Sequence, residues 1–362
     1  MTRWTKAEAN AWWATRPFVC GANYLPSSAV NFLEMWHRDG FDAATIDREL
    51  GWAAGLGLNA IRINLPYLVW KHDRDGLIDR LDRVMGMAAA QGIDTIPVLF
   101  DDCGFGGADA TYGPQPDPRA GVHNSRAVAS PGRDLIRRPG EWGGFLDYTR
   151  DVVATFRSDP RILLWDVYNE PGNRMVFGPE GAHLHEPDFT AESLSLLRDS
   201  FAVAREIAPD HPLTTGAWST PLAGATEAAY ETEVDRTALE LSDIVTFHAY
   251  LPSDRVAAII DALARRGRPM LCTEWMARPV GSRLADQLPL FRARGVGCLH
   301  WGLVQGRTQT WLPWPADLVA AHGGDADRSV WFHDLLTPEG TPYDPAEIAL
   351  LQRLTQADAR VG

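Results

Sequence analysis

Down most of the chain, short apolar runs of strand length alternate with longer stretches in which apolar positions recur every three or four residues, the pattern of parallel βα units. Eight runs read as strands, at 18–23, 59–65, 94–100, 161–168, 212–217, 243–248, 269–273 and 296–301. Helices are predicted at 42–56, 75–91, 141–157, 192–207, 253–266 and 281–294, with a weaker helical pattern between the fifth and sixth strands. Gly57, Gly92, Gly267 and Gly295 follow four of these helices closely, where a residue free to take positive φ ends a helix. Eight strands with helical crossovers and no linker between them predict an α/β fold of the (β/α)8 TIM-barrel type, one domain spanning residues 1–362, rather than a doubly wound sheet. The connections after strands three (101–138), four (171–190) and eight (302–342) are long, with little predicted secondary structure. All three belong to the face where barrel enzymes carry their sites.

Two strings on that face break from apolar strand into loop at a glutamate. They are Trp165-Asp166-Val167-Tyr168-Asn169-Glu170-Pro171-Gly172 at strand four and Leu271-Cys272-Thr273-Glu274-Trp275 at strand seven. An unpaired buried carboxylate is costly, so a carboxyl at the mouth of an apolar strand points to chemistry. Two of them suit glycoside hydrolysis, where one carboxyl protonates the leaving oxygen and the other attacks the sugar or activates water. Further polar residues at strand ends are Asn23 and Tyr24, Arg62 and Asn64, Asp101 and Asp102, Asn169, Trp218, His248 and Tyr250, and His300 and Trp301. Each alone has an ordinary explanation, such as a loop cap, a core histidine or a surface ion pair. Their placement at successive strand ends predicts one convergent ring.

Taken in order, Arg62, Asn169-Glu170-Pro171, His248-Ala249-Tyr250, Glu274 and Trp301 resemble the signature of glycoside hydrolase family 5 and the wider clan A of cellulase-like barrel glycosidases, over about residues 19–301. The resemblance implies a retaining β-glycosidase that needs neither metal nor other cofactor. It implies Glu170 as acid/base, Glu274 as nucleophile and Asn169 as donor to the sugar 2-hydroxyl. Tyr250 and Arg62 would hold the nucleophile, His248 would stand near the acid/base or the sugar, and Trp301 would form the floor under the reacting sugar. Glu274 is then expected to be kept ionised by Arg62 and Tyr250, while Glu170 stays protonated to donate. One departure is the end of strand three, where the family usually has a histidine and this chain has Phe100-Asp101-Asp102-Cys103. That acidic pair either accepts hydrogen bonds from sugar hydroxyls or shapes the loop.

Charge and composition narrow the partners. A net charge of −13, from 34 basic and 47 acidic residues, disfavours nucleic acid and anionic membranes, and a neutral carbohydrate is the expected ligand. Of 14 tryptophans, Trp70, Trp218, Trp275, Trp301, Trp311 and Trp314 fall at strand exits or in long loops, where a flat ring suits the C–H face of a sugar. Trp4, Trp12, Trp13, Trp36, Trp52 and Trp142 read as packing. The first ten residues are polar and helix-like, without signal-peptide character, and no run is long enough to span a bilayer, so a cytoplasmic location is expected. The four cysteines lack metal-site spacing and read as reduced thiols. Two rival functions remain open: a metal-dependent hydrolase using His183, His185, Asp101, Asp102, His123 and His248, and a non-catalytic sugar-binding barrel. Within the glycosidase reading, the three long loops predict a pocket and exo-action on short oligosaccharides or small glycosides. Endo-action like that of a cellulase, xylanase or mannanase is the alternative.

Overall fold

The computed structural model describes residues 2–355. Its centre is a parallel barrel of β1 (Cys20–Asn23), β2 (Ala60–Asn64), β3 (Asp94–Asp101), β4 (Trp165–Asn169), β7 (Leu213–Thr214), β8 (Val245–His248), β9 (Met270–Glu274) and β10 (Gly297–Trp301). Hydrogen-bonded neighbours run β7-β4-β3-β2-β1-β10-β9-β8. The ring closes between β7 and β8, where the Ala217 amide donates to the Thr246 carbonyl at 3.1 Å and the His248 amide to the Ala217 carbonyl at 2.9 Å. All eight expected strands are present. The fifth is regular over two residues only, and a Cβ on Gly216 beyond it would lie 2.9 Å from His248 Nε2. Strands covered by helices outside and by side chains inside are buried along nearly their whole length, which is why they read as continuous apolar runs.

The outer layer comprises α3 (Ala43–Gly55), α4 (Tyr67–Ala90), α5 (Trp142–Thr155), α6 (Thr190–Ile207), α7 (Glu233–Leu241), α8 (Ser253–Ala264) and α9 (Leu284–Arg294), with α11 (Pro345–Thr355) packed on α9. α4 begins at Tyr67 rather than near 75 because two helical pieces join across a kink at Asp73. The N-terminal α1 (Lys6–Ala14), started by a Thr5/Glu8 capping box, closes the bottom of the barrel. There Trp4, Trp12 and Trp13 cover Ala60, Ile96, Leu163, Leu271 and Leu299, a packing role as expected. Among the described residues, no helix is long and apolar enough to cross a membrane.

The top face departs from expectation in two places. The connection after β4 is not irregular, since β5 (Met175–Gly178) and β6 (Gly181–Leu184) form an antiparallel hairpin. The connection after β1 is also long and carries the short α2 (Phe32–Trp36), which reaches the barrel mouth. A further small helix, α10 (Ala316–Ala321), lies in the connection after β10.

Candidate active site

Glu170 stands one residue past β4 with φ +44°, in the left-handed region that non-glycine residues occupy only when their surroundings hold them there. What holds it is local. Pro171 and Gly172 (φ +80°) follow in the order of a type II turn, closed by the Asn173 amide donating to the Glu170 carbonyl at 2.9 Å. That turn brings the Asn173 side chain back, so its Nδ2 donates to Glu170 Oε2 at 2.6 Å. The Cys103 thiol also donates to Oε2, at 3.1 Å, and His248 Nδ1 lies 2.7 Å from Oε1.

Glu274 ends β9 across the mouth. Arg62 Nη1 donates to its Oε1 at 3.0 Å and the Tyr250 hydroxyl to its Oε2 at 2.8 Å. Arg62 is 1% exposed and also donates to Asp166 Oδ2, Asn23 Oδ1 and Asn169 Oδ1, at 2.9, 2.8 and 2.6 Å. One guanidinium thus ties β1, β4 and β9 to β2. Desolvation opposes its charge, but Asp166 and Glu274 more than compensate and raise its pKa. Removing it would leave two buried carboxylates without their cation, a loss of about 3–5 kcal/mol for a broken buried pair.

Burial pushes both glutamates above the usual carboxylate range. For Glu170, hydrogen bonds from Cys103 and Asn173 and the charge of Arg62 oppose the rise. For Glu274, His248, Arg62 and the Tyr250 hydroxyl oppose it, while the charge of Glu170 adds to it. The two environments therefore differ in partners, a neutral set at Glu170 and a guanidinium at Glu274, rather than in the direction of the shift. Burial pushes His248 down to about 4, so the ring is neutral near pH 7. A neutral imidazole can donate from Nδ1 to an ionised Glu170 or accept from a protonated one. One carboxylate oxygen each of Glu170 and Glu274 and one ring nitrogen of His248 lie within 4.8 Å of one another.

Two compartments meet at this pair. A narrow polar one, about 30 Å³, is lined by Asn31, Arg62, Asn64, Asp101, Asn124 and Asn169. A wider one, about 360 Å³, is lined by Phe105, Phe177, Trp218, Tyr250, Trp314 and Leu318. Glu274, Cys103, Phe105 and Trp301 face both.

Most of the expected ring is brought together here: Arg62, Asn169, Glu170, His248, Tyr250, Glu274, Trp301, Trp218 and Asp101. Five residues expected at the mouth require correction, of which His300 is 1% exposed, edge-on to Trp275 at 6.5 Å, and lines neither compartment. Asp102 faces away, accepting hydrogen bonds from Tyr168 Oη, the Gly172 amide and Ser193 Oγ at 2.9, 2.6 and 2.6 Å. It shapes the loop behind Glu170, and burial raises it to about 7. Trp275 is 1% exposed and packs edge-on to Phe291 at 5.2 Å, as a core residue. Asn23 borders the polar compartment, but its amide is engaged by Arg62 and by the Thr273 and His300 carbonyls, so it supports the guanidinium rather than the ligand. Tyr24 is fully buried, with its hydroxyl on Glu49.

Trp70 and Trp311 also lie elsewhere, Trp70 on Asp151 and Trp311 against Trp331. The residues grouped for a metal site do not assemble. His183 is exposed on β6, and His123 binds the Leu312 carbonyl at 2.7 Å between aromatic rings. Sequence reasoning missed Cys103, Asn173, Asn31, Phe105 and Phe177. For Asn173 the turn-forming Pro171-Gly172 was a usable signal, whereas Cys103 had only its place two residues beyond β3.

A (β/α)8 barrel with a buried glutamate on its fourth strand exit and another on its seventh is the class that fold and site define. Solved structures of this architecture are similar along nearly the whole chain. GH5_18 from Streptomyces cattleya in complex with GlcNAc matches with TM-score 0.61 and 16% identity, over 94% of this chain and 80% of that one. The endo-1,4-β-D-mannanase of Thermotoga petrophila RKU-1 matches with TM-score 0.55 and 14% identity, over 94% and 99%. An exo-β-1,4-mannosidase from Opitutaceae bacterium strain TAV5 matches with TM-score 0.58 and 17% identity, over 95% and 60%. No protein-family model and no curated protein matches the sequence. At these identities the likeness is one of fold.

Proposed function

We propose that this protein is a retaining β-glycoside hydrolase in which Glu274 is the nucleophile and Glu170 the acid/base. The observation that carries this reading is the closeness of the two carboxyls, one oxygen of each lying within 4.8 Å of one oxygen of the other. Double displacement uses a separation of about 5–5.5 Å, whereas single displacement by water needs about 6.5–9.5 Å. Glu274, oriented by Arg62 and Tyr250, attacks the anomeric carbon while Glu170 protonates the departing oxygen. Glu170 then takes a proton from the water that releases the sugar. Its rise in pKa suits the first step, and the Nδ1–H of a neutral His248 can donate to the carboxylate left once the proton has gone.

Exo-action is supported by a wall at the polar end of the mouth. Asn31 Nδ2, after β1, donates to Gln115 Oε1 at 2.9 Å and to the Arg126 carbonyl at 2.8 Å, both after β3. The Asn124 amide donates to the Thr308 carbonyl at 2.8 Å, and Gln309 Oε1 accepts from the Gly121 amide at 2.9 Å, joining the same loop to the one after β10. Three loops sewn together close that end of the mouth, which favours cleavage from a chain end. A β-mannoside is the first sugar to test, because proteins of similar fold include a mannanase and a mannosidase.

The test is a panel of 4-nitrophenyl β-glycosides of mannose, glucose, xylose and galactose. Turnover of at least one, lost in Glu274→Gly, is expected. A folded wild-type protein that cleaves none of the four would overturn the assignment.

A further inference from the structure

The wide compartment lies on the Glu170 side of the reacting pair, which is where a leaving group must sit to receive its proton. If the proposed chemistry holds, its lining decides what is cleaved from the sugar. We propose that this compartment takes a hydrophobic aglycone, an aryl or alkyl group, rather than a second sugar.

Three observations carry this. First, the compartment offers few polar groups free to read a sugar. Among the described residues, the carboxyls lining the compartment are Glu170 and Glu274 themselves, and no lysine or arginine lines it. Of its histidines, His123, His322 and His333 each commit Nδ1 to a backbone carbonyl, of Leu312, Leu318 and Met276, and burial holds His123 near 4 and His333 well below the ordinary value, so those two bring no charge. Asn173 is engaged with Glu170, which leaves the hydroxyls of Ser219 and Thr220 as the remaining short polar side chains. Hydroxyl-rich ligands are selected by groups that hydrogen-bond them, and burying hydroxyls without partners is costly.

Second, the walls are aromatic and fixed. Phe105 and Phe177 stack with centroids 4.4 Å apart and planes 2° from parallel, and Trp314 packs on Phe332 at 4.8 Å. The roof is braced, since the Ala182 amide of the hairpin donates to the Asp317 carboxylate at 3.1 Å and the Ala223 amide to the Ala321 carbonyl at 3.2 Å. α10 thereby joins the hairpin to the loop after β7.

Third, the apolar surface continues to solvent along that roof. Leu222, 47% exposed, lines the compartment, and Leu184, 58% exposed, shares an outer hollow with Met175 and Leu318, which also face inward. Leu184 and Leu222 are the large apolar side chains left exposed among the described residues. Both stand where a chain leaving the compartment would pass.

The test compares methyl and n-octyl β-glycosides of whichever sugar the nitrophenyl panel selects, the octyl compound below its micelle concentration, together with a β-1,4-linked disaccharide ending in that sugar. Methanol and octanol are leaving groups of similar basicity, so their difference reports binding of the chain rather than chemistry. Burial of about four methylenes raises kcat/KM for the octyl compound roughly 200-fold over the methyl one. Leu222→Ser and Leu318→Asp should each lower that ratio. Octyl and methyl glycosides cleaved at equal kcat/KM, or a disaccharide preferred to both, would overturn the proposal while leaving the glycosidase assignment intact. No cleavage in the nitrophenyl panel would overturn both.

Discussion

The two compartments share Glu274 and Trp301 but are built from opposite materials. On the polar side nearly every atom is paired to another protein atom: Arg62 to four acceptors, Asn64 Nδ2 to Asp101 Oδ2 at 2.7 Å, and Asn169 Nδ2 to Asp101 Oδ1 at 2.8 Å. Such a network is set before a ligand arrives and holds its dipoles where charge develops during reaction. On the aromatic side the walls touch mainly one another, and shape does the selecting. On the proposed reading, the polar side governs whether the bond is broken, and the aromatic side which group departs.

The largest effect that would sharpen this division is at the nucleophile. Glu274→Gly should lower turnover on the order of 10⁴-fold or more, and added azide should restore formation of a glycosyl azide of inverted configuration. Near-normal turnover without azide would place the nucleophile elsewhere. Glu170→Ala, on the leaving-group side, should cost about 10²–10⁴-fold on an alkyl glycoside and far less on a nitrophenyl one, which leaves without a proton. Equal losses on the two substrates would remove Glu170 from the acid role.

Two core substitutions should act on stability rather than selectivity. Trp275→Ala should lower the melting temperature by the equivalent of about 3–5 kcal/mol, the cost of emptying a buried aromatic site. Asp102→Ala leaves the Tyr168 hydroxyl and the Gly172 amide without their acceptor, at about 1–3 kcal/mol per stranded group, while the Ser193 hydroxyl keeps the Phe189 carbonyl at 3.2 Å. A fall in kcat/KM at unchanged melting temperature would return either residue to the ligand. The smallest effect expected is in pH dependence. Activity should fall on the acid side as Glu274 gains a proton and on the alkaline side as Glu170 loses one, with both limbs displaced above the ordinary glutamate value of about 4.3. The Cys103 thiol lowers the pKa of Glu170, so Cys103→Ala should move the alkaline limb upward. A downward or absent shift in the kcat/KM profile would show that the thiol does not act on the acid.

Much of the polar side could be read in the sequence because its residues sit at the ends of buried parallel strands, which write themselves as apolar runs broken by a polar residue. Asp101 and Asp102 show where such reading stops. Neighbours on a strand face opposite ways, so one must turn from the mouth, but alternation alone does not say which. For Trp275 the same rule was available: if Glu274 points inward, the next residue points out toward the helices. The aromatic side was harder to read, because it is assembled from the hairpin, α10 and the loop after β7. Short elements with histidine-rich and proline-rich strings carry no clear period, so their pairing depends on tertiary contacts such as that between Ala182 and Asp317.

The most direct measurement is proton NMR of the first-formed product from a β-glycoside, taken before mutarotation equilibrates the anomers. Glutamate oxygens within 4.8 Å of each other lead us to expect the β-anomer first. Initial release of the α-anomer would contradict double displacement and the roles given to Glu170 and Glu274.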